Sequence, residues 1–199
     1  MTIKAVYFDL GGVIVRTEFQ SPRERLAERV GLTYEELVRI VFESKSSQEA
    51  SIGKISEEDH WKFVARALHR PLKERDVIHK EFFDGDIVDR DLIFYIRSLR
   101  PRYGTGLISN AWDGLRPYMK REKFDDAFDT LIISAEVGVM KPEATIFEHA
   151  LEQLEVRPKE AVFIDDFAEN IAGCEAMGMH GILFKSTEQT LKELKKLLK

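Results

Sequence analysis

The chain of 199 residues has a single cysteine, Cys174. An internal disulfide is therefore excluded, and a reducing, cytoplasmic setting is the simplest expectation. Long apolar runs are also missing. The first, Ile3 to Phe8, is broken by Asp9 and lacks the basic flank and cleavage site of a secretion signal, so neither a membrane span nor a leader is expected. Basic residues are not in excess: 30 Lys and Arg stand against 35 Asp and Glu, for a net charge of -5. That balance argues against a nucleic-acid or anionic-membrane partner. Internal repeats and low-complexity tracts are absent as well. What is there, 44% hydrophobic and 33% charged residues, suffices for a globular core.

Five short runs rich in β-branched and aromatic residues read as strands: Ile3 to Phe8, Gly104 to Ile108, Thr130 to Ile133, Ala161 to Ile164 and Gly181 to Phe184. They are continuously apolar rather than alternating, which suits a parallel sheet covered on both faces. Helical stretches separate the last four. "ATIFEHALEQL" puts Ile146, Phe147, Ala150, Leu151 and Leu154 on one side, and "NIAGCEAMG" is a shorter helix. The tail opens with a Ser186–Gln189 capping pattern and closes with Leu191, Leu194, Leu197 and Leu198 on one side. The expectation is an α/β fold, a doubly wound (Rossmann-like) parallel sheet.

Strands one and two are too far apart for one crossover helix. Residues 16–88 therefore form an insertion, expected to be helical throughout: a small α-helical cap after the first strand, on a core of residues 1–15 and 89–199. Helix starts are read at Ser21-Pro22-Glu24, at Thr33 with Glu36, and at Ser56 with Asp59. "HWKFVARAL" supplies an amphipathic stretch, with Trp61 and Phe63 placed in the cap's own core. Residues 44–54, "SKSSQEASIGK", read as its loop.

Ligands of open α/β sheets bind outside the carboxyl ends of the strands. Asp9 follows the first strand, Ser109 and Asn110 the second, Lys141 lies beyond the third, and Asp165 and Asp166 follow the fourth. Alone, each has an ordinary reading as a cap, a turn residue or a surface charge. Together they suit phosphoryl transfer, with a carboxylate nucleophile, hydroxyl and ammonium donors, and carboxylates that need a hard cation such as Mg²⁺.

"FDLGGV", "LISN", the lysine of "GVMKP" and "FIDD" resemble, in order, the four motifs of the haloacid dehalogenase-like (HAD) hydrolase superfamily, with a type 1 helical cap. "DLGGV" and "ASIGKIS" followed by Trp61 are similar to the glucose-1-phosphate phosphatase-like branch. The resemblance implies a Mg²⁺-dependent phosphatase of a small phosphorylated metabolite, sugar phosphates favoured. Asp9 would form an aspartyl-phosphate. Asp9, the carbonyl of Gly11, Asp165 as direct ligand and Asp166 as ligand or outer partner would hold the metal. Ser109, Asn110 and Lys141, with the amides of Leu10 and Gly11, would bind phosphate. Catalysis would rest on Asp9, Ser109 and Lys141. A monomer or small homo-oligomer is expected.

The family's usual second acid, two residues after the nucleophile, is replaced by Gly11. Positioned proton transfer contributes about 10²–10⁴-fold, so substrates with easily departing groups (anomeric, aryl or acyl phosphates) are expected to do best. Metal-independent dehalogenation of 2-haloacids is the alternative, followed by weak catalysis on a phosphate-binding protein. The signalling-receiver arrangement is disfavoured because its acidic pair follows the first strand. The five histidines are given structural or solvent roles, Arg16 and Glu18 are read as hinge charges, Cys174 as buried and inert, and Trp112 as facing either cap or cleft.

Overall fold

The computed structural model describes residues 2–198. Its strands are β1 (Ala5–Phe8), β2 (Val15–Thr17), β3 (Asp86–Val88), β4 (Gly104–Ser109), β5 (Thr130–Ile133), β6 (Ala161–Asp165) and β7 (His180–Leu183). Five of them form a parallel sheet in the order β5-β4-β1-β6-β7. The expected fifth strand is present, one residue earlier than its apolar run. Succession runs outward from β1 on both sides, through β4 to β5 and through β6 to β7. The switch point, where a crevice opens, is therefore at the carboxyl ends of β1, β4 and β6.

Alternate residues of the central strands feed two cores. Val6, Phe8, Val162 and Ile164 face one, with α6 (Arg90–Leu99), α7 (Leu115–Arg121) and α11 (Thr187–Leu197). Ala5, Tyr7, Ala161 and Phe163 face the other, covered by α9 (Ala144–Gln153) and α10 (Ala168–Ala176). Burial on both faces explains the unbroken apolar runs. Ser186 caps α11 through the Gln189 amide at 3.2 Å, as its spacing predicts.

Between β2 and β3 lie α1 (Ser21–Val30), α2 (Tyr34–Phe42), α3 (Lys45–Ser51), α4 (Glu57–Ala67) and α5 (Arg75–Phe83). They enclose a third core around Leu26, Leu37, Val41, Trp61, Val64, Ile78 and Phe82. Thr33 and Glu36 make the expected reciprocal capping box, and Ser56 accepts from the Asp59 amide at 3.1 Å. Four details differ from expectation. The insertion is not helical throughout, since its ends pair as the antiparallel ribbon β2–β3; three-residue strands leave no readable period. Residues 45–51 form α3 rather than a loop. Its polar composition hides small side chains (Ser46, Ser47, Ala50) that pack closely and are buried, behind a Ser44 cap. Ser21 makes no cap bond; it already lies inside α1, which starts after Gln20. Phe63 stays 39% exposed, because the buried stripe of α4 runs through His60, Trp61, Val64 and Ala65.

His60 is fully buried, with Nδ1 3.0 Å from Ser46 Oγ. Burial pulls its pKa down to about 4. Between the ordinary value near 6.5 and that value, the unfolded chain takes a proton that the native ring refuses, so stability falls as pH falls. The loss is at most about 3 kcal/mol. Melting curves from pH 7 to 4.5 should show His60→Gln losing less stability on acidification than the parent; parallel losses would contradict this origin. Cys174 is buried and its thiol is pushed up to about 12 by burial, which makes it unreactive as expected. No described helix is long and apolar enough to cross a membrane.

Candidate active site

β1, β4 and β6 bring the predicted residues to one crevice. Asp9 follows the end of β1, its amide bonded to the Ile164 carbonyl of β6 at 2.8 Å, and is 6% exposed. Ser109 ends β4 and is buried. Asp165 ends β6 and is fully buried. Lys141 arrives from the loop after α8 (Ser134–Val137), which Gly138 closes in a left-handed conformation (φ 78°). Its ammonium sits 2.8 Å from Asp9 Oδ1 and 2.6 Å from Asp165 Oδ2, above the Phe163 ring. The Lys141–Pro142 peptide is cis.

Asn110 does something the sequence did not indicate. Its side-chain amide clamps the Lys141 backbone, accepting from the Lys141 amide at 2.8 Å and donating to the Lys141 carbonyl at 3.0 Å. That side chain is engaged in holding the lysine's backbone. Leu10 is likewise occupied, its amide donating to Asp9 Oδ1 at 2.6 Å. The amide and carbonyl of Gly11, by contrast, are engaged by no other described residue. Next to it, Gly12 adopts φ +72°, and a Cβ there would stand 2.1 Å from Asp166 Oδ2. Glycine is what lets the Asp166 carboxylate lie against this turn.

The two neighbouring aspartates differ sharply. Asp165 Oδ1 accepts from the Phe167 amide at 2.8 Å and from Asn170 Nδ2 at 3.0 Å, while Oδ2 takes Lys141 and the same Asn170 group at 3.1 Å. Its lone pairs are largely used. Asp166 Oδ1 is buried with no partner among the described residues. Asn170 escaped the sequence reading; its only signal is its place in the first turn of α10, five residues after Asp165. Arg16 and Glu18 pair with each other at 3.1 Å, and Arg16 also meets Asp89 at 3.0 Å. This agrees with their reading as hinge charges.

One oxygen each from Asp9, Asp165 and Asp166 can be chosen so that all lie within 4.8 Å of one another. At that separation two like charges repel by about 3 kcal/mol at an effective dielectric of about 20. With all three acids ionised, Lys141 offsets one charge and two remain. Burial pushes the Asp9 carboxyl up to about 7, with Lys141 opposing and Asp165 adding to the rise. Burial and Asp165 raise Asp166 too. A divalent cation would supply the missing charge and the missing partner of Asp166, so the donor set fits a hard, oxygen-bound ion.

The chain is similar to several known proteins. Bifunctional epoxide hydrolase 2 of Mus musculus is 27% identical over 218 residues, covering 99% of this chain. The chain spans only 39% of that relative's length. D-ribitol-5-phosphate phosphatase of Bacteroides thetaiotaomicron is 26% identical over 176 residues, 85% of each protein. A HAD family enzyme of Bacteroides thetaiotaomicron, solved in complex with magnesium and inorganic phosphate, superposes with a TM-score of 0.77 at 21% identity, covering 93% of this chain and 96% of the other. The family model for haloacid dehalogenase-like hydrolases matches residues 3–178. A parallel sheet switching at β1, with its acids and lysine gathered at that point, is thus the core of a chain that belongs to the haloacid dehalogenase-like hydrolases.

Proposed function

We propose that the chain is a Mg²⁺-dependent phosphatase of a small phosphorylated metabolite, sugar phosphates favoured, acting through an aspartyl-phosphate on Asp9. The observation that carries this reading is the charge arrangement: Lys141 held between Asp9 and Asp165, with a buried, unpartnered oxygen on Asp166 beside them. The relatives support it by what their names state, a phosphatase of D-ribitol 5-phosphate and, from Pyrococcus furiosus, one of glyceraldehyde 3-phosphate. The magnesium and phosphate in the similar solved structure point the same way.

Asp9, the Gly11 carbonyl and Asp166 would hold the ion, with Asp165 braced behind them by Lys141, Asn170 and the Phe167 amide. This division reverses the order in which the motif alone ranks the two acids. Bound there, magnesium would screen the negative charge of the phosphoryl group. Lys141 opposes the burial that raises the Asp9 pKa, which favours the charged form, and fixes one of the Asp9 oxygens. The other oxygen attacks phosphorus, and the leaving oxygen departs with the bond electrons. Ser109 and the free Gly11 amide would donate to the phosphoryl oxygens. Water then cleaves the acyl phosphate, restoring Asp9 and releasing inorganic phosphate. Gly11 has no proton for the leaving group, so sugar 1-phosphates and aryl or acyl phosphates are the preferred classes. In this reading residues 16–88 act as a cap over a core of 1–15 and 89–199.

The test is phosphate release across sugar phosphates, nucleotides, and aryl and acyl phosphates, with Mg²⁺ and with chelator. The expected result is release that needs Mg²⁺ and is fastest for the labile classes. Chloride release from 2-chloropropionate without metal, and no phosphate release, would favour the dehalogenase instead.

A further inference from the structure

Trp112 follows β4 in the sequence but is buried in the core of the helical insertion. It is 9% exposed, and its ring centroid lies 4.5 Å from that of His60, 5.9 Å from Trp61 and 6.0 Å, stacked, from Phe42. Its neighbours complete the junction. Asp113 Oδ1 accepts from the Glu57 amide, the first of α4, at 2.9 Å. The Glu57 carboxylate lies so close over Gly114 that a Cβ there would come within 1.8 Å of it, and it also takes the Trp61 indole N–H at 3.3 Å. Gly53 (φ +68°) presses on the other side, where a Cβ would meet the Ala135 carbonyl at 2.2 Å. Thus the insertion meets the core at two points besides its covalent ribbon, β2–β3.

The first of these points continues the loop that carries Ser109 and Asn110. Ala111 between them is tied on both backbone groups to Ser134, its amide to Ser134 Oγ at 3.0 Å. Swinging the insertion away as a lid would pull an indole out of an aromatic cluster into water and drag on this loop.

We propose that Trp112 is a positioning residue that latches the helical insertion to the core throughout the catalytic cycle, holding the Ser109–Asn110 loop from the insertion side. The kinetic part of this rests on the phosphatase reading; the docking part does not. Trp61 and Trp112 are the only tryptophans, so intrinsic fluorescence reports the junction directly. Acrylamide quenching of the parent protein, and of Trp61→Phe to isolate Trp112, should show one buried population. Mg²⁺ with inorganic phosphate should change it by less than about twofold, as for a ring that stays packed. An accessible population in the free protein that becomes protected on adding these ions would overturn the latch.

With p-nitrophenyl phosphate, Trp112→Ala should raise KM about tenfold with a smaller change in kcat, and Trp112→Phe should stay within about threefold of the parent. Unchanged KM in folded Trp112→Ala would refute the positioning role. Should that variant fail to fold, Trp112→Phe and the quenching still decide. Absence of any turnover would count against the phosphatase reading, while the quenching result would still stand or fall alone.

Discussion

Asp9→Asn should lower phosphate release by at least about 10³-fold while leaving the fold in place. An amide cannot serve as the phosphoryl acceptor, and the loss should be in kcat for every substrate tried. The fold has reason to survive. Asparagine has nearly the same shape, Lys141 keeps its 2.6 Å partner Asp165, and the repulsion among three neighbouring carboxylates is reduced. Thermal melting should therefore shift by only a few degrees, within roughly 1 kcal/mol for a chain of this size. A fall of only several-fold in activity would show that Asp9 is not the nucleophile. A collapse of the fold would show that its role is to neutralise Lys141.

Gly11→Asp should go the other way. The added acid is expected to raise kcat for alkyl phosphates by roughly 10–100-fold, part of the span that positioned proton transfer supplies. Acyl and aryl phosphates, whose leaving groups need little protonation, should change by less than about threefold. The site can take the side chain. A Cβ at Gly11 meets nothing within 4 Å and no left-handed φ is required there, whereas at Gly12 it would collide with Asp166. Placed beside acids that already carry excess negative charge, the new carboxyl should have a raised pKa, which suits a proton donor. The comparison is the ratio of kcat for a hexose 6-phosphate to kcat for acetyl phosphate, in parent and variant. An unchanged ratio would mean that another group already donates the proton, or that the leaving oxygen does not pass Gly11.

Much of this was legible in the amino-acid order because it is local. The central strands β1 and β6 are buried on both faces and almost wholly apolar, and β4, β5 and β7 each carry a shorter apolar run, so all five announce themselves. Acids and a lysine standing just beyond such runs then converge by topology alone. What was not legible depends on partners distant in sequence or on which way a side chain turns. Adjacent residues at a strand end point to opposite sides. Whether Asp165 or Asp166 keeps an open oxygen is therefore decided by Asn170 and the Phe167 amide, which take position only once α10 begins. That the Asn110 side chain clamps the backbone of Lys141, 31 residues away, is likewise unreadable from the sequence. The short ribbon β2–β3 joins residues some 70 apart through three-residue strands, and α3 is polar in composition because its buried side chains are small. Trp112 belongs by sequence to the core and by packing to the insertion.

On the proposed reading Asp9 accepts the phosphoryl group. The most direct test is an acid quench of the parent enzyme during turnover of ³²P-labelled acetyl phosphate with Mg²⁺, followed by peptide mapping. The expected result is hydroxylamine-sensitive label on the peptide containing Asp9, absent from Asp9→Asn and absent without the metal. Phosphate release with no label on that peptide, or label on a different residue, would contradict it.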